Sequence, residues 1–251
     1  MKLLRAELLR ARSRRVSWAV PLALLGLVAF IVIVSVLQDQ SWDVPENLPA
    51  AVGDVAAYVA WLFAAIGASL LGAESSNGGM TRVLAVEPRR VRVVLAKLSV
   101  AGVVCAAGAL VLAVGTVGLM VLAAAAGPFD GNAEEILTSD LASSCASVVL
   151  GATLAGMLGG VAGLLGRSTT VGVVALTIVL IVIEPLLGGL VSELEGRGPG
   201  FTLIGVMGGP NGVAASVVGE DASWLPPLLW TAGLALLGAF VMRRRDVVDG
   251  T

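Results

Sequence analysis

The chain has 251 residues, of which 57% are hydrophobic and only 14% are charged, and its formal net charge is −2. Soluble globular domains are near half apolar and a quarter charged, so this composition excludes an ordinary soluble domain. Several apolar runs exceed the roughly 18 residues needed to cross a hydrocarbon core of about 30 Å. Histidine is absent, which excludes histidine metal ligands and histidine bases. These features predict an all-α polytopic membrane protein with a single transmembrane domain over residues 1–251.

The chain begins with a basic segment, residues 1–15. Leu4, Leu8 and Ala11 form an apolar stripe at helical spacing, and most of the basic side chains lie away from that stripe. This pattern predicts an interfacial helix on the inner leaflet. A positively charged anchor without a further role is the alternative interpretation.

Six apolar runs follow, and each is long enough to cross a bilayer. The predicted transmembrane spans cover residues 16–37, 55–73, 98–126, 141–166, 169–190 and 224–242. Span 3 is long for a bilayer at about 1.5 Å per residue, so it must tilt, protrude or break near Gly115 and Gly118. A tight turn at Arg167 and Ser168 separates spans 4 and 5.

The spans also contain small residues suited to close packing. Gly156 and Gly160 in span 4 form a G-x-x-x-G motif, which favours close approach of two helices. Cys105 and Cys145 lie within apolar runs and lack metal-type spacing, so we interpret them as core residues.

The segment between spans 5 and 6, residues 191–223, is too apolar for a simple loop and too rich in glycine and proline for a full span. We predict two short re-entrant helices in the outer leaflet, interrupted at Gly208, Gly209 and Pro210. Such backbone is tolerated where protein buries it or a cavity wets it. A loosely packed external loop is the alternative.

The distribution of basic residues predicts the orientation of the chain. All lysines and arginines except Arg197 fall in the N-terminal segment, in residues 74–97, at the Arg167 turn or in the C-terminal tail. By the positive-inside rule these four segments share the cytoplasmic side. Both termini are therefore predicted to be cytoplasmic. The acidic segments, residues 38–54 and 127–140, are predicted to be external, as is the segment between spans 5 and 6.

Residues 74–97 form a polar, basic stretch between spans 2 and 3. Pro88 divides it into a short helix near residues 79–86 and a second helix that runs into span 3. One interpretation is a cytoplasmic loop whose charges orient the protein. The other is a docking element for a soluble partner. Its short helix would present three apolar side chains, Val83, Leu84 and Val86.

Glu184, directly before Pro185, is the obvious ionisable residue within a predicted span. By helical rise it lies about 22 Å from the inner face, which places it in the outer leaflet. Intramembrane acids are functional candidates. The alternative is a hydrated carboxylate near the outer interface that caps the broken end of span 5.

The order of these features resembles the permease subunits of ABC-2 type ABC exporters, in the form found in actinobacteria. The resemblance depends on the basic helix before span 1 and on the pattern after span 2. That pattern is an acidic residue, a Gly-Thr-like step, a leucine, a Pro-Arg pair and a lysine that opens span 3. The matching positions are Glu74, residues 79–81, Leu84, Pro88, Arg89 and Lys97. The chain departs from the family at residues 75–78, where charged residues are usual, and in its short outer loops.

The resemblance implies an assembly in the bacterial plasma membrane. Two permease subunits, this chain with itself or a paralogue, would form the pathway, and two cytoplasmic ATPase subunits would bind beneath them. It implies that this chain is not an enzyme and holds no cofactor, since the ATPase partner binds ATP and magnesium, and it implies no nucleic acid partner. The implied ATPase-coupling residues are Glu74, Thr81, Arg82, Leu84, Pro88, Arg89 and Lys97.

An ATP-independent secondary transporter, or another polytopic membrane protein, is the alternative function. Secondary transporters usually contain internal repeats and charged residues near the middle of the membrane. The sequence has neither feature. The transported substrate is left open by the sequence.

The predicted orientation can be tested by labelling single cysteines on intact cells with a membrane-impermeant reagent. We expect Asp130→Cys to be labelled and Asp249→Cys to be protected, because the two positions lie on opposite sides of the membrane. The unsubstituted chain, with Cys105 and Cys145, reports background labelling. Labelling of Asp249→Cys but not of Asp130→Cys would contradict the orientation.

Overall fold

The computed structural model describes residues 60–75, 89–126, 139–190, 197–208 and 225–244, with isolated residues 19, 22, 23, 26, 29, 79 and 83. In this part of the chain the backbone is helical apart from short turns and contains no strand. The predicted all-α class is therefore confirmed. The predicted interfacial helix at residues 1–15, most of span 1, and residues 209–223 lie outside the described residues.

The described residues form helices that we number α1 to α6 in chain order. These are α1 (Ala60–Ser75), α2 (Arg90–Ala126), α3 (Ser139–Gly166), α4 (residues 169–190), α5 (Pro199–Gly208) and α6 (Leu225–Arg244). Three stretches, in α2, α3 and α4, are long and apolar enough to cross a membrane: Arg90–Leu119, Leu141–Gly166 and Thr169–Leu187. The apolar parts of α1 and α6 are shorter. The described helices are thus compatible with a membrane location.

Helix α2 is continuous from Arg90 to Ala126, so the suggested break near Gly115 and Gly118 does not occur. The helix begins eight residues before the predicted span because the basic residues after Pro88 continue the same helix. At about 1.5 Å per residue it is about 55 Å long, well beyond a hydrocarbon core of about 30 Å. Because the helix does not break, tilting in the membrane and protrusion from it are the two remaining ways to accommodate its length.

The predicted turn between spans 4 and 5 is confirmed. Arg167 adopts a φ of 54°, in the left-handed region, and its N–H donates to the Leu164 carbonyl oxygen at 3.4 Å. The Ser168 carbonyl oxygen then accepts the N–H of Gly172 at 3.0 Å, which starts α4. Glycine is the usual residue at such a helix end, because a side chain in this conformation costs roughly 1–2 kcal/mol. The exposed arginine is kept there despite that cost.

Helix α3 is the centre of the described bundle and packs against α2, α4, α5 and α6. Its contact with α1 is a direct approach of two backbones. A methyl group added at Gly159 would overlap the Ala64 carbonyl oxygen, and one added at Gly163 would overlap that of Ala68. A methyl group at Gly67 in α1 would likewise overlap the carbonyl oxygen of Gly156. Glycine is therefore required on both helices.

The predicted G-x-x-x-G pair of α3 faces a different helix, α2. A methyl group at Gly156 would overlap the Cys105 sulfur, and one at Gly160 would lie 3.0 Å from a Leu98 methyl carbon. Two rows of glycine, one residue out of phase, thus let α3 fit between α1 and α2. Cys105 is buried, as predicted, and Cys145 is half-buried.

Substitution of these glycines tests the packing. Gly159→Ala should reduce the stability of the purified protein in detergent by about 1–3 kcal/mol, because overpacking forces α1 and α3 apart. Gly118→Ala and Gly233→Ala are matched controls, since no described residue lies within 4 Å of an added methyl group at either position. Thermal or denaturant unfolding measures the difference. Equal unfolding midpoints for Gly159→Ala and Gly118→Ala would contradict the close approach of α1 and α3.

Candidate functional site

A buried ion pair joins α1 to α2. The Lys97 ammonium donates to the Glu74 carboxylate, and both residues are buried. Lys97 is drawn inward by its position on the helix, because it lies on the stripe that packs against the core. The other buried residues of this stripe near Lys97 are Val93, Val94, Leu98 and Ala101. Residues three and four apart share one helix face, so the lysine is carried in with its apolar neighbours.

Burial of two charges is costly unless each meets its partner. The attraction between them offsets the loss of hydration only when the geometry is good, and removal of one partner leaves an uncompensated buried charge. The pair therefore fixes the end of α1 to one level of α2. It also unites the two ends of the polar stretch at residues 74–97, which are Glu74 and Lys97 themselves.

The ion pair lies at the basic end of the bundle. Gly72, near the end of α1, packs against the backbone of Thr169 at the start of α4. Gly238, late in α6, packs against Val161 and Leu164, late in α3. One end of the bundle therefore holds the starts of α2 and α4 and the ends of α1, α3 and α6. All described lysines and arginines except Arg197 belong to this end: Arg89, Arg90, Arg92, Lys97, Arg167, Arg243 and Arg244.

The stretch after α1 returns to the bundle at two described positions. A methyl group at Gly79 would lie 3.3 Å from the Glu74 carbonyl oxygen, so the chain passes close to the end of α1. Val83 is half-buried and packs against the hydrophobic core. Val83 thus contacts this chain's own core, and its contact with a partner stays a prediction. Four predicted site residues of the stretch lie outside the described residues: Thr81, Arg82, Leu84 and Pro88.

Arg89 is exposed immediately before α2, and its carbonyl oxygen accepts the Val93 N–H at 3.2 Å to start the helix. Arg90 and Arg92 follow in the first turn, and Arg92 is exposed. A helix N-terminus carries partial positive charge, so arginines there are unfavourable to the helix itself. This concentration of positive charge is suited to an acidic surface outside the described residues.

Glu184 lies toward the opposite end of the bundle, in α4. This helix has an unusual course: Thr169–Thr177 is α-helical, Ile178–Ile183 is π-helical, and Glu184–Leu190 is α-helical again. The helix is therefore not broken at Pro185. Glu184 is buried rather than hydrated, and its carboxylate binds α5 instead of capping its own helix. The prediction of a hydrated cap is wrong on both points.

The Glu184 carboxylate accepts three hydrogen bonds from the first turn of α5. The Gly200 nitrogen lies 2.8 Å from Oε1 and 3.0 Å from Oε2, and the Phe201 nitrogen lies 3.0 Å from Oε2. The first backbone N–H groups of a helix have no partner within that helix, and negative charge is stabilising there. Glu184 thus provides from another helix the cap that Ser, Thr, Asp or Asn usually supply locally.

Two glycines make room for this carboxylate. A methyl group at Gly198 would lie 2.6 Å from the Glu184 carboxyl carbon, and one at Gly200 would lie 2.9 Å from Oε2. Gly198 and Gly200 are not among the residues predicted from the sequence. Pro199 between them carried a signal, because proline favours the first position of a helix. Gly208 ends α5, whereas Gly209 and Pro210 lie outside the described residues.

The buried ion pair can be tested by a double-substitution cycle. Glu74→Leu and Lys97→Met should each destabilise the protein by about 3–5 kcal/mol, because each leaves a buried charge without its partner. The combined Glu74→Leu, Lys97→Met protein should lose much less, since apolar replacement of a buried pair is often nearly neutral. Unfolding in detergent gives all values. Additive losses in the cycle would show that the two residues do not interact.

Comparisons with known proteins do not identify a family for this chain. Neither the models of known protein families nor the curated proteins contain a match to this chain. The ion pair, the exposed arginines and the order of features along the chain are the evidence on function.

Proposed function

We propose that this chain is the membrane-spanning permease subunit of an ATP-driven ABC-2 type exporter. It would form half of the translocation pathway, with a second copy or a paralogue as the other half. A separate cytoplasmic ATPase would bind at residues 74–97. The observation that carries the proposal is the buried Glu74–Lys97 pair, which unites the two ends of this stretch while Arg89 between them stays exposed.

The ion pair supports a role in the transmission of force. A loop without cross-connections absorbs a push from a partner by changing its own backbone angles. Here the stretch begins at Glu74 and ends at Lys97, and the buried pair makes α1 and α2 move together at that level. Helix α2 continues without a break to Ala126, so displacement of its first turn is carried along its length.

The exposed arginines support an acidic docking surface. Arg89 and Arg92 are exposed at the start of α2, at the end of the bundle that holds most of the basic charge. Opposite charges that come together across an interface favour association and fix the register of the partners. Few residues dominate such interfaces, so one arginine and one leucine are expected to carry most of the binding. We assign these roles to Arg89 and Leu84.

The proposal predicts the effect of two substitutions on assembly with a cytoplasmic ABC ATPase. Arg89→Glu and Leu84→Asp should each reduce co-purification with that ATPase about tenfold or more, and should lower the ATP hydrolysis of the complex. The physical reason is that an interfacial charge pair broken from one side costs about 2–5 kcal/mol. Affinity purification from detergent and a phosphate-release assay provide the measurements.

Arg197→Glu is the matched control, since it reverses the charge of an exposed arginine at the other end of the bundle. It should leave both measurements unchanged. Wild-type assembly and hydrolysis in Arg89→Glu and Leu84→Asp would remove residues 74–97 from the mechanism. The lack of any ATPase partner, with transport supported by an ion gradient alone, would favour a secondary transporter.

A further inference from the structure

We propose that Glu184 is a positioning residue that latches α5 to α4, and that the π-helical turn before it sets the aim of the latch. The latch consists of the Glu184 carboxylate, the N–H groups of Gly200 and Phe201, and the space left by Gly198. Its role in transport, as the device that holds the exit-side helix in place, depends on the proposed function. Its existence does not.

Within the described residues, α4 has few other attachments to the bundle. In the apolar window of Thr169–Leu187 only 11% of the residues are buried, compared with 67% in that of Leu141–Gly166 in α3. One polar tie holds its middle, where the Trp61 indole N–H donates to the Thr177 hydroxyl at 2.9 Å. Beyond that point, the Glu184 carboxylate makes directional hydrogen bonds in largely apolar surroundings. A carboxylate that accepts two N–H groups at once constrains both the distance and the rotation of α5 relative to α4.

The two ends of α5 contact the bundle in different ways. At its C-terminal part, Met207 is fully buried against Gly151 of α3, where an added methyl group would overlap the methionine side chain. At its N-terminus, Glu184 binds the free amides. The methionine contact is apolar and permits rotation, whereas the carboxylate is directional. Loss of the carboxylate therefore removes the hydrogen bonds to the first amides of α5. It leaves the Met207 contact in place, as well as the hydrogen bond from the Trp230 indole N–H to the Arg197 carbonyl oxygen just before α5.

A π-helical turn, Ile178–Ile183, directly precedes Glu184. Hydrogen bonds from residue i to i+5 place an extra residue in the turn, and such turns are frequent at functional sites. One residue corresponds to about 100° of rotation in an α-helix. Conversion of this turn to a regular α-helix would therefore turn Glu184 away from α5. The π-helical turn therefore directs the Glu184 carboxylate toward α5, and its conversion would release α5.

Two substitutions should weaken the contact between Glu184 and α5 in different ways. Glu184→Gln retains the size of the side chain but loses its charge, and the amide nitrogen cannot accept a hydrogen bond. Gly198→Ala retains the carboxylate but places a methyl carbon 2.6 Å from its carboxyl carbon. Gly189→Ala, in the last turn of α4, is the matched control because none of the residues that the structure describes lies within 4 Å of the added methyl group.

The direct test is amide hydrogen exchange on the purified full-length chain in lipid nanodiscs, without any partner. We expect exchange at Gly200 and Phe201 to be about tenfold faster in Glu184→Gln and in Gly198→Ala than in the unsubstituted protein. Exchange in the last turn of α5, near Met207, should be unchanged in all variants. Gly189→Ala should match the unsubstituted protein throughout. Unchanged exchange at Gly200 and Phe201 in both latch variants overturns the latch.

The second test uses the complex with the ATPase partner of the proposed function. Glu184→Gln and Gly198→Ala should assemble normally and keep their unfolding midpoint within a few degrees, yet hydrolyse ATP at a rate altered at least about threefold, because helix position and not assembly has changed. Unaltered hydrolysis with the expected exchange would restrict Glu184 to a structural role and overturn its role in transport. Failure of the unsubstituted chain to bind an ATPase would instead contradict the proposed function, while the exchange result still decides the latch.

Discussion

The close approach of α1 and α3 is the constraint on which the rest of the structure depends. Gly67 and Gly159 bring backbone against backbone, with no side chain between the two helices. Because this contact sets the height of α1, it also sets where Glu74 emerges beside Lys97 and where Gly72 meets the start of α4. In a membrane, close packing replaces the hydrophobic effect as the force between helices, so glycine has a specific role here.

Polar contacts then fix the two ends of the bundle. Glycine contacts bring the helices close together, and polar contacts add the directional bonds that dispersion forces lack. The Glu74–Lys97 pair at the basic end and the Glu184 carboxylate near the other end each specify one register. Both bonds join elements of the chain that the glycine contacts have already brought together. Each is worth more in apolar surroundings than in water, since an unmade polar bond there is costly.

These two anchors link the proposed function to the proposed latch. A partner that binds near Arg89 would act on the start of α2 and, through the buried pair, on the end of α1. Helix α3 lies against both of these helices and also against α4 and α5, so it offers a packed route between the two ends. Helix α4 is less buried than α2 and α3, so it can respond with a smaller loss of contacts than these two helices.

The lengths of the helices, their apolar character and the clustering of basic residues were determined by the sequence alone. These properties arise from neighbouring residues, so periodicity and charge report them directly, as the bounds of α4 and the Arg167 turn illustrate. A lysine on a buried stripe also needs an acid nearby, and Glu74 could have been chosen on that ground. The π-helical turn and the pairing of faces had no comparable signal.

The tertiary structure alone decided which faces meet. Gly159 contacts Ala64 across nearly a hundred residues of chain, and Val83 turns inward although its short-range pattern predicts an outward contact. Glu184 was expected to be hydrated because depth along one helix says nothing about a neighbouring helix that covers it. The reason is general: burial and hydrogen-bond partners are properties of pairs of distant segments, and a single segment contains no record of the other.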